Sequence, residues 1–367
     1  MSRYMTEPPA RHDAPSQTAV LLINLGTPEA PTTKAVRMYL REFLSDPRVV
    51  ETSRPLWLMI LNGLVLNFRP ARSAVKYQAI WTEEGSPLRV HTERQTKLLR
   101  GFLHEAGYRV RVEHAMRYGQ PSIGDALSRL KAEGCDHILL LPLYPQYSAS
   151  TTATAFDRAF AWAQACRSQP EFRTVRSYPD NPGYIAALAA SVREHWAKYG
   201  QPDDDYRLVM SYHGVPRSTL KVGDTTFCEC HKTSRLLAEA LGLTEDKYAV
   251  CFQSRFGSSK WLEPYTTDTL KALGQAGVKR VDIICPGFVS DCLETLEEIA
   301  IEGREDFLTA GGSEFHFIHC LNERDDWIRA LGELAARHMA GWPTSGEEPN
   351  KELVECLLRA RKLGAPC

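Results

Sequence analysis

Short apolar runs alternate with longer amphipathic stretches along most of the chain. Strands are read at "AVLLINLG", "RVRVEHAMRYG", "HILLLPLYPQ" and "FRTVRSY" in the first half, and at "RLVMSYHG", "KYAVCFQSRFG", "RVDIICPGFVSD" and "FHFIHCL" in the second. Several are apolar at successive positions, as strands are when helices cover both faces of a parallel sheet. The alternation predicts the α/β class. The halves also echo one another: "LLINLGTP" resembles "LVMSYHGVP", "AMRYG" resembles "FQSRFG", and "LLLPLYPQYS" resembles "IICPGFVSD". Two similar open sheets follow, each with a crevice beyond the carboxyl ends of its strands and a cleft between them suited to a ligand. The expected organisation is a flexible polar arm at 1–17, α/β domains at 18–170 and 171–342, and a tail at 343–367 that starts as a linker and ends in a short helix.

Residues 54–81, "RPLWLMILNGLVLNFRPARSAVKYQAIW", break the alternation. Leu, Trp, Met, Ile, Val and Phe occupy almost every helical face at first, and then the segment becomes basic. It is either a buried helix or an exposed apolar lip with a cationic margin formed by Arg54, Arg69 and Arg72. A lip of that kind suits a flat apolar ligand or a membrane surface.

Side chains able to do chemistry gather where strands end. Arg117 and Tyr118 end one strand; Tyr144, Gln146 and Tyr147 end the next. His213 ends the first strand of the second half, held on a turn bounded by Gly214 and Pro216; Gln253, Ser254 and Arg255 end its second strand, and Asp291 its third. After Asp291, a helix drawn at about 100° per residue puts Leu293, Leu296, Ile299 and Ala300 on one face. Asp291, Glu294, Glu298, Glu302 and Glu305 form a stripe on the other face, with few basic partners at i+3 or i+4. Such like-charge neighbours repel by about 0.2–0.5 kcal/mol per pair. The stripe is either a solvated face or a row of oxygen ligands entering a crevice, suited to a divalent cation in transit. His213 is either a structural hydrogen-bonder or a proton acceptor near neutral pH.

The bulk numbers narrow the class. The 367 residues are 43% hydrophobic and 24% charged with a net charge of -1, which offers no basic footprint for nucleic acid. No apolar run reaches the ~20 residues of a membrane span. Ten irregularly spaced cysteines read as reduced thiols of a cytoplasmic protein. "TPEAPTTKAV" lacks a phosphate-binding fingerprint. Cys228-Glu229-Cys230-His231 does not match a structural zinc spacing and reads as a polar loop with thiols.

Six motifs in series, "LLINLGTPEAP", "YLREFLSDPRVVE", "LPLYPQYSASTT", "SYHGVP", "FQSRFG" with "WLEPYT", and "PGFVSDCLETLEEIAIEGRE", resemble the ferrochelatases from about residue 18 to about residue 335. The resemblance implies two Rossmann-like domains holding a porphyrin in the cleft between them, and insertion of ferrous iron into it. It implies His213 as the catalytic histidine and Glu294 as the active-site glutamate, with Glu298 and Glu302 continuing the acidic row. Arg117 and Tyr118 match a pocket Arg-Tyr pair, Trp261 a pocket tryptophan, and Leu25 a position facing the ring. The 54–81 segment matches the family's apolar lip, with Tyr77 and Ser86 near the pocket. Cys292 stands where many relatives carry His. Animal members bind a [2Fe-2S] cluster, but here Ala149 occupies the first cysteine position and the tail offers Cys356 and Cys367, so no cluster of that kind is expected. Protoporphyrin IX is the expected substrate. Coproporphyrin III, another class II tetrapyrrole chelation and a non-catalytic tetrapyrrole carrier stand as alternatives. The lip gives a route to peripheral membrane contact at the inner face of the plasma membrane; the oligomeric state is not readable.

Overall fold

The computed structural model describes residues 4–7, 12–201, 204–257, 259–346 and 351–365. The eight predicted strands form two parallel sheets of four. In the first, β1 (Gln17–Gly26), β2 (Arg111–Tyr118), β3 (Cys135–Pro142) and β4 (Glu171–Thr174) lie in the order β2-β1-β3-β4. In the second, β5 (Tyr206–His213), β6 (Tyr248–Gln253), β7 (Arg280–Ile284) and β8 (Glu314–Ile318) lie in the order β6-β5-β7-β8. The echo between the halves is therefore topological: each sheet reverses direction beside its first strand, where open α/β sheets bind ligands.

Strands β3, β6 and β7 stop earlier than the runs read for them. β3 ends at Pro142 and β7 just before Cys285-Pro286, because proline cannot donate to a ladder. β6 ends at Gln253 because Ser254 adopts a left-handed conformation, φ 63°.

Burial on both faces of the sheets accounts for the continuous apolar runs. One cluster joins the two sheets: Leu139 and Leu141 of β3 share it with Leu208 and Met210 of β5. The helices Pro182–Tyr199 and Asp325–His338 contribute Leu188, Val192, Leu331 and Leu334 to the same cluster. Separate clusters cover the outer faces of the first and second sheets.

Three expectations are corrected. The boundary expected between 170 and 171 falls at the start of β4, whose residues pair with His137–Leu140 of β3, so the first sheet runs on to Thr174. Of the arm expected at 1–17, residues 4–7 and 12–17 are described; Gln17 already belongs to β1, and 4–7 is tied down rather than flexible. The Met5 N–H donates to the Ala165 carbonyl, and the Glu7 carboxylate accepts from Lys131 and from the N–H groups of Arg167 and Ser168. Cys228 to His231 lie within a helix, Thr226–Leu241, not in a loop. The tail does contain a helix, Lys351–Lys362, which carries Cys356; Cys367 lies outside the described residues.

The 54–81 segment is one long helical arm: Arg54–Ile60, a wide π-type turn at Leu61–Val65, then Leu66–Ile80. Trp57, Leu61, Leu66, Ala74 and Tyr77 are buried against Tyr39, Leu40 and Tyr118. On its other side Leu56, Met59, Leu64, Phe68 and Val75 are 48–67% exposed. The segment is thus apolar on both faces, one buried against the first half and one exposed.

Candidate active site

His213 is the last residue of β5, in register with Gln253 at the end of β6, and its side chain is exposed. Its Nδ1 lies 2.6 Å from the Gly214 carbonyl oxygen. A carbonyl only accepts, so Nδ1 carries a proton and Nε2 is the ring nitrogen left to exchange one. The turn that follows is clamped to a second loop: the Leu262 N–H donates to the Val215 carbonyl at 3.0 Å, and the Arg217 N–H to the Lys260 carbonyl at 2.8 Å. The clamp sets Trp261 beside the imidazole, with ring centroids 6.2 Å apart. The Trp261 indole N–H is buried without a partner.

Gln253 connects this edge to the acidic helix. Its Nε2 donates to the Glu294 carbonyl at 2.7 Å, while its Oε1 accepts from Ser211 at 2.7 Å. The left-handed Ser254 turns its N–H onto Glu298 Oε1 at 2.7 Å, and its hydroxyl donates to the other carboxylate oxygen. Burial raises the Glu298 pKa. The Ser254 hydrogen bonds and the His213 charge work against that rise, and the Glu294 charge adds to it. His213, Glu294 and Glu298 therefore share one electrostatic environment although they come from two separate chain segments. Glu298 and Ser254 also line a cavity of about 200 Å³ together with Arg255, Thr266 and Gly303.

The acidic helix is not a regular α-helix. Leu296–Gly303 is π-type, with about one more residue per turn, so faces drawn at a 3.6-residue period drift. Ile299 is buried as expected, but Ile301 is 48% exposed and Glu297, outside the predicted stripe, is buried. Glu297 and Glu302 both pair with Lys76 of the lip, at 2.9 and 2.8 Å. Glu302 thus stands apart from Glu298 in its contacts, and the basic partner absent from the helix itself comes from 221 residues away.

The apolar side of the site is the lip cluster. Leu25, at the end of β1, and Leu293 and Leu296, flanking Glu294, pack against it, and Tyr77 is buried within it. Burial pushes the Tyr77 hydroxyl well above its ordinary pKa, and the Glu294 charge adds to this.

Four expected contact residues are spent on protein partners. Tyr118 is fully buried, with its hydroxyl donating to Asp46 at 3.0 Å. Arg117 pairs with the same carboxylate, donates to Thr154 and lies over the Tyr118 ring at 4.4 Å. Ser86 accepts from the Thr27 hydroxyl at 2.7 Å and is buried. Asp291 is buried among Thr295, His319, Cys320 and Asn322. Burial pushes its pKa up, but the His319 contact and charge and the Asn322 hydrogen bond outweigh burial and hold it below the usual carboxylate range. Tyr118 and Ser86 are buried in the walls and Arg117 nearly so, whereas Asp291 also lines a cavity of about 360 Å³ with Leu296, His319 and Asn322. Cys292 is buried and begins the helix of Glu294. Gln253 was visible in the sequence as a strand-end residue, whereas Asp46 and Lys76 carried no signal because their partners are distant in the chain.

A protein-family model described as ferrochelatase matches residues 17–339. The ferrochelatase of Dechloromonas aromatica (strain RCB) is 57% identical over 365 residues, spanning 100% of both chains. That of Herminiimonas arsenicoxydans is 59% identical over 367 residues, spanning 99% of both. Among solved structures, SirB from Bacillus subtilis with Fe3+ shares the fold at a TM-score of 0.52 and 11% identity, covering 90% of this chain and 100% of that one. By sequence over its whole length, this chain belongs to the ferrochelatase family.

Proposed function

We propose that this ferrochelatase inserts ferrous iron into protoporphyrin IX, with His213 accepting pyrrole protons and Glu294 and Glu298 handling the ion. The observation that carries the reading is the exposed His213 in register with Gln253, with Gln253 and Ser254 bonded to Glu294 and Glu298 beside an apolar wall.

Metallation has three obstacles: two N–H protons must leave, the ring must pucker, and hydrated Fe²⁺ must shed water. The lone pair at His213 Nε2 can take a proton because the Gly214 carbonyl already holds the other nitrogen as a donor. Glu298, beside a cavity, offers the ion oxygen in place of water, and Glu294 lies between Leu293 and Leu296, which pack against the apolar wall. Leu25, Tyr77 and Trp261 are assigned to contact with the macrocycle. Arg117, Tyr118, Ser86 and Asp291 are assigned to positioning, and Glu302 to the approach of the ion. Packing of an apolar macrocycle against these walls supplies the binding energy for the pucker. The exposed lip favours protoporphyrin, the less carboxylated substrate, and gives a cytoplasmic protein a means of touching a membrane. No helix among the described residues is long and apolar enough to cross one.

The test is anaerobic incubation with Fe²⁺ and either protoporphyrin IX or coproporphyrin III, followed by the visible spectrum. Protoporphyrin is expected to be the better substrate. His213→Ala is expected to lower turnover by about 10²–10⁴-fold, the range for a positioned proton acceptor. Glu294→Gln is expected to weaken iron use with porphyrin binding retained. Faster turnover of coproporphyrin, or full activity in His213→Ala, overturns the corresponding assignment.

A further inference from the structure

A second cluster of metal-ligating side chains lies on the second sheet, away from the site above. His316 of β8 is in register with Asp282 of β7, and the helix Pro182–Tyr199 lays His195 over the pair. One ligand atom from each of His195, Asp282 and His316 lies within 4.8 Å of the others. Asp282 is fully buried, and the His195 side chain is 9% exposed. The His195 Nε2 is buried and makes no hydrogen bond, although it sits 3.4 Å from Asp282 Oδ1. A buried nitrogen left unsatisfied is costly, and its place next to a carboxylate and a second imidazole calls for a partner.

We propose that His195, Asp282 and His316 bind a divalent transition-metal ion, Zn²⁺ or one of similar preference. Two imidazoles and a carboxylate are a known ligand set for zinc, with room left for a fourth ligand. Glu314, two residues along the same strand and on the same face, lies 2.5 Å from His316 Nε2 and orients that imidazole, leaving the fourth position to water. The charge balance permits a cation. Arg280 forks onto Asp282 at 3.0 and 2.9 Å, but two carboxylates outnumber that one guanidinium. Arg280 also fixes the Asp282 carboxylate in place, and the Trp196 indole N–H does the same at 3.1 Å. Supporting contacts of this kind orient metal ligands. The Tyr199 ring, 4.6 Å from both imidazoles, covers them.

This is not a stage on the route to the porphyrin. Asp282 pairs with Leu208, five residues before His213 on β5, or about 16 Å back along the strand at ~3.3 Å per residue. An ion here joins β7, the edge strand β8 and the covering helix, a stabilising role that does not depend on turnover.

The test separates this site from the active site by using a Glu294→Gln/Glu298→Gln background, stripped with a chelator and titrated with Co²⁺ as a spectroscopic probe and then with Zn²⁺. The proposal expects about one equivalent of Co²⁺ with visible ligand-field absorption, displaced by Zn²⁺, and a higher melting temperature with Zn²⁺. Adding His316→Gln is expected to weaken binding at least tenfold and abolish the melting shift. In the otherwise unmodified protein, His316→Gln should leave chelatase activity within about twofold. His195→Gln should repeat the loss, and far-UV circular dichroism checks folding; if His195→Gln fails to fold, the His316→Gln result alone decides. Absence of Co²⁺ binding in the folded background, or equal binding with and without His316→Gln, overturns the proposal.

Discussion

The Asp46 carboxylate shows how one residue sets the floor of the site. It accepts from the Arg48 N–H at 2.8 Å, the Tyr118 hydroxyl at 3.0 Å, Arg117 and Thr154. Burial pushes its pKa up, but the Thr154 and Arg48 hydrogen bonds and the Arg117 charge overcome this, leaving it below the usual value. A carboxylate with a depressed folded pKa contributes stability above its unfolded value of about 3.9, and that contribution is lost as pH falls through the lower folded value. Asp46→Asn leaves Arg117 with a side chain 14% exposed and no ionic partner. It should cost about 3 kcal/mol near pH 7, as for other broken buried pairs. The gap to the unmodified protein should narrow as pH drops below about 4, where the unfolded chain's carboxylate takes up a proton while the folded one still resists it. Urea unfolding of both proteins at several pH values measures the gap, and a gap that is flat or widens in acid contradicts the assignment. Nothing near residue 46 in the chain announced this role. Asp46 and Arg117 are 71 residues apart, and only the fold brings them together.

Among the elements, the strands were legible, and so were the ends of β1, β2, β5 and β6, while β3 and β7 stop before the residues expected to end them. Apolar runs located β1, β3, β5 and β7 because burial on both faces leaves no alternation to misread. The ends are set by backbone chemistry: a proline, a left-handed Ser254, a close approach at Gly26. Gly26 has φ 109°, and a Cβ there would lie 1.8 Å from the Tyr118 carbonyl oxygen, a backbone atom that cannot step aside. Gly26→Ala should therefore destabilise by more than the ~1 kcal/mol typical of strain-free glycine replacements. It should also raise KM for porphyrin, since Leu25 is its neighbour. Steady-state kinetics with denaturation curves reads both, and wild-type values for both would refute the close approach. The π-type turns at 61–65 and 296–303 were invisible, because a wide turn inserts one residue without a compositional signal. Their effect is to face Lys76 towards Glu297 and Glu302. The Glu297 side chain is 11% exposed and that of Glu302 50%. Lys76→Ala should thus cost about 1 kcal/mol, mainly through Glu297, and Glu302→Ala less, as for exposed pairs. Faster amide hydrogen exchange across 66–80 in Lys76→Ala is the expected signature of a loosened lip. Unchanged exchange there would assign the ion pairs no role in holding it.

At the scale of the molecule, the question is whether the two sheets move as separate bodies around the cleft. Domains joined by a small polar interface are expected to shift relative to one another; those sharing a large apolar interface are not. Here the interface is the core itself, because β1, β3, β5 and β7 all contribute to one apolar cluster. The helix Asp325–His338, from the end of the second half, closes that cluster by packing on Pro87–Glu105 of the first half and on Pro182–Tyr199. At this crossing Gly332 meets Phe102, and a Cβ would lie 2.3 Å from the ring. Gly332→Val inserts a branched side chain there and so strains both halves at one point. If the halves form one cooperative unit, the variant should lose stability by about 1–3 kcal/mol, the range for overpacking. Amides of β1 and β5 should then lose protection by the same factor, with unfolding followed by fluorescence and by circular dichroism coinciding. Loss confined to β5 would mean that the second sheet unfolds alone and that a hinge across the cleft is available. Coincident loss leaves the lip as the element free to admit a macrocycle. It carries five large exposed apolar side chains on one side, and ion pairs with Lys76 tie it to the acidic helix. The mobile part of the site is then the same surface that meets the apolar ligand, while His213 and Gln253 stay fixed on adjacent strands of a rigid sheet.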